Sequence, residues 1–214
     1  MRQMPIAKEG IALITLSFIL TIILYMINIK ILAGLLSLFL LFFLFFFRNP
    51  TRHDKSTSDE LISPADGKVM EIREMSKNEF LMEASTRISI FMSPLDVHVN
   101  RAPCDGMITN VQHRRGDFAM AFKKDIDKEN ERNYILMEHG KENVLLVQIA
   151  GFLARRITSY VKEHDFVKKG DPIGIIAFGS RVDIYFPKDY DIMVLSGAKV
   201  KAGITALAKK KGEA

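Results

Sequence analysis

Two short stretches hold residue types that do chemistry. In the run Phe178 to Pro187, Gly179 precedes Ser180 between two strand-like segments. The pair reads first as an ordinary turn. It also suits one uncommon reaction, because glycine leaves the peptide carbonyl unshielded and a serine hydroxyl can attack that carbonyl when the backbone is held strained. In the run Met92 to Pro103, His98 stands with Asp96, Asn100 and Arg101 in a segment bracketed by prolines. An isolated histidine is more often a surface or satisfied core residue than a catalyst. This one follows an apolar strand that would project it from a rigid edge, and Asp66 or Asp96 could serve as its charge partner. The sequence has no His-x-His or Cys-x-x-Cys spacing, so no metal site is expected.

Such residues need strands and turns to position them. From Leu61 onward, short apolar runs are punctuated by Gly, Pro, Asp and Asn: Lys68 to Ile72, Arg87 to Phe91, Gly106 to Val111, Tyr134 to Glu138, Val144 to Ile149, Ile173 to Ile176 and Arg181 to Phe186. Many are β-branched or alternate apolar with polar residues, which predicts a mainly β domain, a small barrel-like sandwich with few short helices. Helical signals are confined to Gly151 to Thr158 and to the short basic tail Ile204 to Lys211. Ser63 to Val69 and Val167 to Gly174 place Asp and Gly in tight turns between strands. These turns resemble the hairpins of biotinyl and lipoyl carrier domains, but no lysine stands convincingly at a hairpin tip for attachment.

The 214 residues carry 30 Lys+Arg against 25 Asp+Glu and a single cysteine, Cys104. One cysteine makes no internal disulfide and agrees with a reducing compartment. The excess charge is mild and spread along the chain, without the basic runs of nucleic-acid binders, so no nucleic-acid partner is expected. The N-terminal part differs sharply from the rest. Ile11 to Ile27 and Ile31 to Phe47 are uncharged runs separated by Asn28, Ile29 and Lys30. Each would make a helix of roughly 25 Å, the short end of what crosses a hydrocarbon core. Residues 1–47 therefore read as a membrane-anchoring hairpin that either crosses twice or lies in one leaflet, residues 48–60 as a polar linker, and residues 61–214 as the soluble domain. A cleavable signal peptide is excluded by the Leu/Phe-rich end that runs straight into Arg48. Basic residues flank both outer ends, which places them on the cytoplasmic side by the positive-inside rule.

Taken in order, Arg48-Asn49-Pro50, the Ser63 to Gly67 turn, Asp96 to Pro103, Asn130 to Asn133, Gln148 to Gly151 with Arg155-Arg156, and Phe178 to Asp183 resemble the short form of the phosphatidylserine decarboxylases, the archaetidylserine decarboxylase-like subfamily. The resemblance implies an inactive precursor that cuts itself between Gly179 and Ser180. It leaves a β chain of residues 1–179 and an α chain of 35 residues, 180–214, which stay paired as a heterodimer; higher oligomers are left open. Ser180 would become a covalent pyruvoyl cofactor that takes the amine of a serine phospholipid as a Schiff base and accepts the electrons released with carbon dioxide.

The resemblance also assigns acid/base work to Asp66 and His98. Longer relatives carry a second histidine where this chain has Arg101, so a complete Asp-His-Ser relay does not transfer. His98 is the expected acid/base group, with Asp66 or Asp96 orienting it. Arg101, Arg155 and Arg156 are candidates for holding the lipid phosphate or the departing carboxylate, since guanidinium binds either anion in a bidentate way. Asn130 to Asn133 is expected to order a loop. Two rivals remain at this level. One is a membrane-tethered lipoyl-like carrier or adaptor in which Gly179-Ser180 is only a turn; the other is a pyruvoyl decarboxylase of a soluble amino acid.

Overall fold

The computed structural model describes residues 4–77, 79–116, 130–151, 157–177 and 180–212. It forms two compact units, Met1–Thr51 and Arg52–Ala214. In the first, helices α1 (Lys8–Met26) and α2 (Lys30–Phe46) make a hairpin whose turn carries Asn28 at φ 64°. Asparagine tolerates that left-handed conformation better than most residues. The base of the hairpin is closed by backbone bonds from Ala7 N–H to the Phe47 carbonyl, 2.8 Å, and from Asn49 N–H to the Pro5 carbonyl, 2.7 Å. Small residues, Gly10, Ser17 and Ala33, are among those buried within the hairpin, where they allow close helix approach. Thr21 and Ser37 donate their hydroxyls to the carbonyls of Ser17 and Ala33 one turn back, so neither depends on water. Side chains such as Leu16, Phe18, Ile31 and Leu38 remain exposed. By length and composition α1 can cross a membrane, while α2, with 17 residues, is shorter.

The second unit is built from strands. In chain order they are β1 (Glu60–Ile62), β2 (Gly67–Met75), β3 (Ser85–Met92), β4 (Val99–Arg101), β5 (Gly106–Arg114), β6 (Arg132–His139) and β7 (Glu142–Ala150). They continue as β8 (Ile157–Ser159), β9 (Phe166–Val167), β10 (Pro172–Ile176), β11 (Ser180–Pro187), β12 (Tyr190–Ile192), β13 (Lys199–Val200) and β14 (Ala206–Lys210). Eight strands form one antiparallel sheet in the order β13-β2-β3-β11-β7-β6-β5-β9, and two three-stranded sheets, β1-β14-β12 and β4-β10-β8, accompany it. A mainly β unit preceded by an apolar helical hairpin is the expected fold class.

Period-two alternation decides what each strand buries. On β11, Val182, Ile184 and Phe186 face the main core together with Ile88, Ile90 and Met92 of β3 and Leu146 and Ala150 of β7. Each fully buried aliphatic or aromatic side chain contributes about 1.5–3 kcal/mol. The reverse face packs Leu145, Val147 and Ile149 with Leu81. The seven runs expected as strands are strands.

One helical expectation fails, and the other falls largely outside the described residues. Residues 152–156 of the Gly151 to Thr158 segment lie outside the described residues, and its end, from Ile157, is strand β8. The tail that was expected to be helical is β14, because Leu207 and Ala208 are buried while the strand pairs with β1 on one side and β12 on the other. Residues 52–60 belong with the larger unit, where the Lys169 ammonium donates to Ser56 Oγ and to the carbonyls of Thr57 and Glu60.

Candidate active site

Ser180 is the first residue of β11. Its backbone pairs with Met92 on β3 and with Ala150 on β7, so it starts a strand held on both sides. Alternation turns its side chain to the core face with Val182. It is fully buried, and Oγ donates to the Met92 thioether sulfur at 3.4 Å. The neighbour Ala150 is itself fixed by the segment before β6: Asn130 Nδ2 donates to its carbonyl at 2.7 Å, and its N–H donates to the Glu131 carbonyl at 3.0 Å. Asn130 to Asn133 therefore does more than order a loop, since Arg132 and Asn133 already belong to β6. Gly179 lies outside the described residues, as do Arg155 and Arg156.

His98 lies in the segment entering β4. The histidine is fully buried, with Nδ1 2.9 Å from the Asp96 carbonyl oxygen. A carbonyl can only accept, so Nδ1 carries a proton, and in the neutral ring Nε2 is the nitrogen with the lone pair. Asp96 thus orients the imidazole through its backbone. Its carboxylate accepts from the Ser93 N–H and hydroxyl, both at 2.8 Å, and closes the turn between β3 and His98. The Asp66 carboxylate has different partners: Arg52 at 2.8 Å and the Ala202 N–H at 2.7 Å.

Arg101 projects from the opposite side of β4 to Asn100, as strand alternation requires. It is buried, and Nη1 donates to the Gly170 carbonyl at 2.8 Å. Burial and the nearby Arg52 guanidinium pull it below the ordinary arginine value, while Asp66 and Asp171 oppose them. Its described partner closes the turn before β10.

Three residues given no role at the site from the sequence stand behind Ser180. Asn100 donates to the Met92 sulfur, Gln148 donates to Asn100, and Asn133 donates to Gln148. The small sheet presses on this line. A Cβ on Gly174 of β10 would sit 2.8 Å from Gln148 Nε2 and 2.7 Å from the Thr158 carbonyl oxygen, so only glycine allows the two layers to close there. The signal was present in the sequence: a glutamine inside the apolar run Val144 to Ala150, and an asparagine between Val99 and a buried turn, must find partners when buried. An open cavity lined by Leu81, Ser85, Lys141, Glu142 and Pro187 lies elsewhere. Ser85 pairs with Pro187 seven residues along β11, roughly 23 Å from Ser180.

A buried serine opening a doubly paired strand, its hydroxyl on a thioether sulfur that also accepts an amide N–H, is an arrangement suited to acyl chemistry on the backbone. The phosphatidylserine decarboxylase family model matches residues 39–208. The chain belongs to the phosphatidylserine decarboxylase family. It is 43% identical over 208 residues to the phosphatidylserine decarboxylase proenzyme of Carboxydothermus hydrogenoformans, covering 96% of each chain. It is 42% identical over 206 residues to that of Syntrophus aciditrophicus, covering 94% of this chain and 96% of the relative. Identity to the Pelagibacter ubique proenzyme is 40% over 211 residues, with 96% of each covered. These phosphatidylserine decarboxylase relatives are named as proenzymes.

Proposed function

We propose that this chain decarboxylates phosphatidylserine, or an archaeal-type serine phospholipid with the same headgroup, using a pyruvoyl group made from its own Ser180. Maturation starts when Ser180 Oγ attacks the Gly179 carbonyl. The C–O bond forms, the Gly179–Ser180 C–N bond breaks, and the hydroxyl proton ends on the serine nitrogen. Removal of the Ser180 α-proton then breaks the ester Cβ–O bond and releases the Gly179 carboxylate, and the dehydroalanine left behind tautomerises to an imine that water hydrolyses to the keto group and ammonia. The observation that carries this reading is the burial of Ser180 at the head of β11, paired on both sides, in a chain whose relatives are proenzymes. A carrier reading, in which Gly179-Ser180 is only a turn, loses its ground with the family.

The surroundings fit a small neutral ketone. Met92 and Ala150 flank residue 180, Val182 follows on the same face, and Asn100 offers an amide N–H on the Met92 sulfur. The ketone supplies an electrophile for the substrate amine and a sink for the electron pair released with carbon dioxide. His98 Nε2 is the proposed proton acceptor and donor, with its tautomer fixed by the Asp96 carbonyl. Arg155 and Arg156 are the proposed contacts to phosphate or carboxylate, and Asp66 orders the turn ahead of β2 through Arg52 and Ala202.

The two chains expected from cleavage are interleaved. In the 180–214 piece, β11 pairs with β3 and β7, β13 with β2, and β14 with β1. That pairing supports a stable heterodimer. The hairpin of residues 1–47, apolar on its outside, would hold the enzyme at the bilayer where its substrate resides, with the flanking basic residues on the cytoplasmic side. Denaturing gels with intact mass test the reading. Active material should contain two chains, the smaller blocked at its N-terminus, and hydroxylamine, which traps carbonyls, should abolish turnover. A single intact chain in fully active material would refute it.

A further inference from the structure

How Ser180 is held allows one more step, which rests on the self-cleavage reading. Three side-chain amides form a buried line on the core face. Asn133 Nδ2 donates to Gln148 Oε1 at 2.9 Å, Gln148 Nε2 to Asn100 Oδ1 at 2.8 Å, and Asn100 Nδ2 to Met92 Sδ at 3.6 Å. Ser180 Oγ donates to the same sulfur at 3.4 Å. Met92, Asn100 and Gln148 are fully buried, and Asn133 is 1% exposed, so water does not take over their bonds.

A primary amide has a donor end and an acceptor end, so a line of amides has a direction. Turning all three over would preserve the bonds between them and would present the Asn100 carbonyl to Met92. A thioether has lone pairs and no hydrogen to donate, so it accepts an N–H and gains nothing from a carbonyl oxygen. Met92 therefore sets the direction of the whole line. The close approach of Gly174 to the Gln148 amide holds the middle member in place.

We propose that Asn133, Gln148 and Met92 are positioning residues that together present the Asn100 side-chain N–H, and not its carbonyl, to the Ser180 oxygen during self-cleavage. The resting acceptor of the hydroxyl, a thioether sulfur, takes up no proton and does not stabilise an anionic oxygen. As the hydroxyl proton leaves for the proposed base, His98 Nε2, negative charge builds on Oγ. A neutral donor that shares this sulfur with the hydroxyl meets that charge without adding a buried charge of its own. Gln148 touches neither Ser180 nor Met92 in the described contacts, so its whole effect passes through Asn100.

Cell-free synthesis of the full chain with lipid vesicles, followed on denaturing gels over time, tests this. Asn100→Leu should slow self-cleavage by about a hundredfold and Gln148→Met by about tenfold. The double variant should be no slower than Asn100→Leu alone, because a residue acting through another adds nothing once that other is gone. Met92→Leu keeps the volume, removes the acceptor that sets the direction, and should also slow cleavage. Wild-type rates in Gln148→Met and Met92→Leu, or effects that multiply in the double variant, would overturn the proposal. Melting temperatures separate slow cleavage from misfolding, and Met92→Leu decides the matter if Gln148→Met fails to fold. A wild-type chain that stays whole, or a Ser180→Ala chain that is cut, would instead sink the self-cleavage reading.

Discussion

The two faces of β11 are held by opposite means. On the core face Ser180, Val182 and Ile184 sit among aliphatic side chains, and the polar groups near Ser180 are neutral amides and a sulfur. On the reverse face Arg181 grips Asp183 through two bonds of 2.6 Å and reaches Ser89 at 3.1 Å, all buried. A buried ion pair is tolerable only while both charges stay matched. A reaction that moves protons and changes charge at residue 180 would unbalance such a pair. The full charges of β11 thus lie on the face away from the proposed reaction, and the face of Ser180 carries dipoles.

The largest expected effect lies on the neutral face. Ser180→Ala should leave a full-length, inactive chain by intact mass. Its unfolding free energy should stay within about 1 kcal/mol of that of the uncut wild-type precursor, because the lost hydroxyl made only a weak bond to sulfur. On the charged face the order reverses. Arg181→Met should cost about 3–5 kcal/mol in denaturant unfolding by stranding Asp183, and the double change Arg181→Met with Asp183→Leu should recover most of it.

A smaller effect is expected at Glu142, which joins β7 to the last 35 residues by accepting from Tyr190 at 2.7 Å and pairing with Lys210. Burial opposes ionisation of Glu142, but the bonds from Lys210 and Tyr190 outweigh it and hold the carboxyl below its ordinary range. A depressed carboxyl stabilises fully above its unfolded value and loses that contribution as pH falls through the folded one. Wild type should therefore lose stability in acid more steeply than Glu142→Gln. At neutral pH that variant should be weaker by about 1 kcal/mol, as read by thermal melts across pH. The smallest effect is at Cys104, whose thiol burial pushes up to about 12. Alkylation of the native protein at pH 8 should be negligible until it unfolds.

The long strands were legible because alternation over five or more residues leaves a pattern, as in Arg181 to Phe186. Strands of two or three residues, such as β9 and β13, are too short to carry one, and they exist only because a long neighbour offers an edge. The tail from Ile204 misled for a related reason: its basic residues suggested a helix end, while Leu207 and Ala208 had a sheet to enter. At the site, Ser180, His98 and Asp96 could be picked out from their local setting, but the bonding of the two carboxylates could not. Asp66 answers to Arg52 and Ala202, the latter 136 positions away, and such pairings are set by topology. The amide line was hidden likewise, since Asn100 and Gln148 meet only once β4 has folded over β7.

The pairing of β11, β13 and β14 with strands of the longer piece also has a kinetic consequence. A break just ahead of Ser180 cuts the polypeptide without cutting a single ladder of the sheet, so the fragment never has to find its mate. Maturation should therefore obey first-order kinetics at any dilution, and a tagged fragment added from outside should fail to exchange into the finished enzyme.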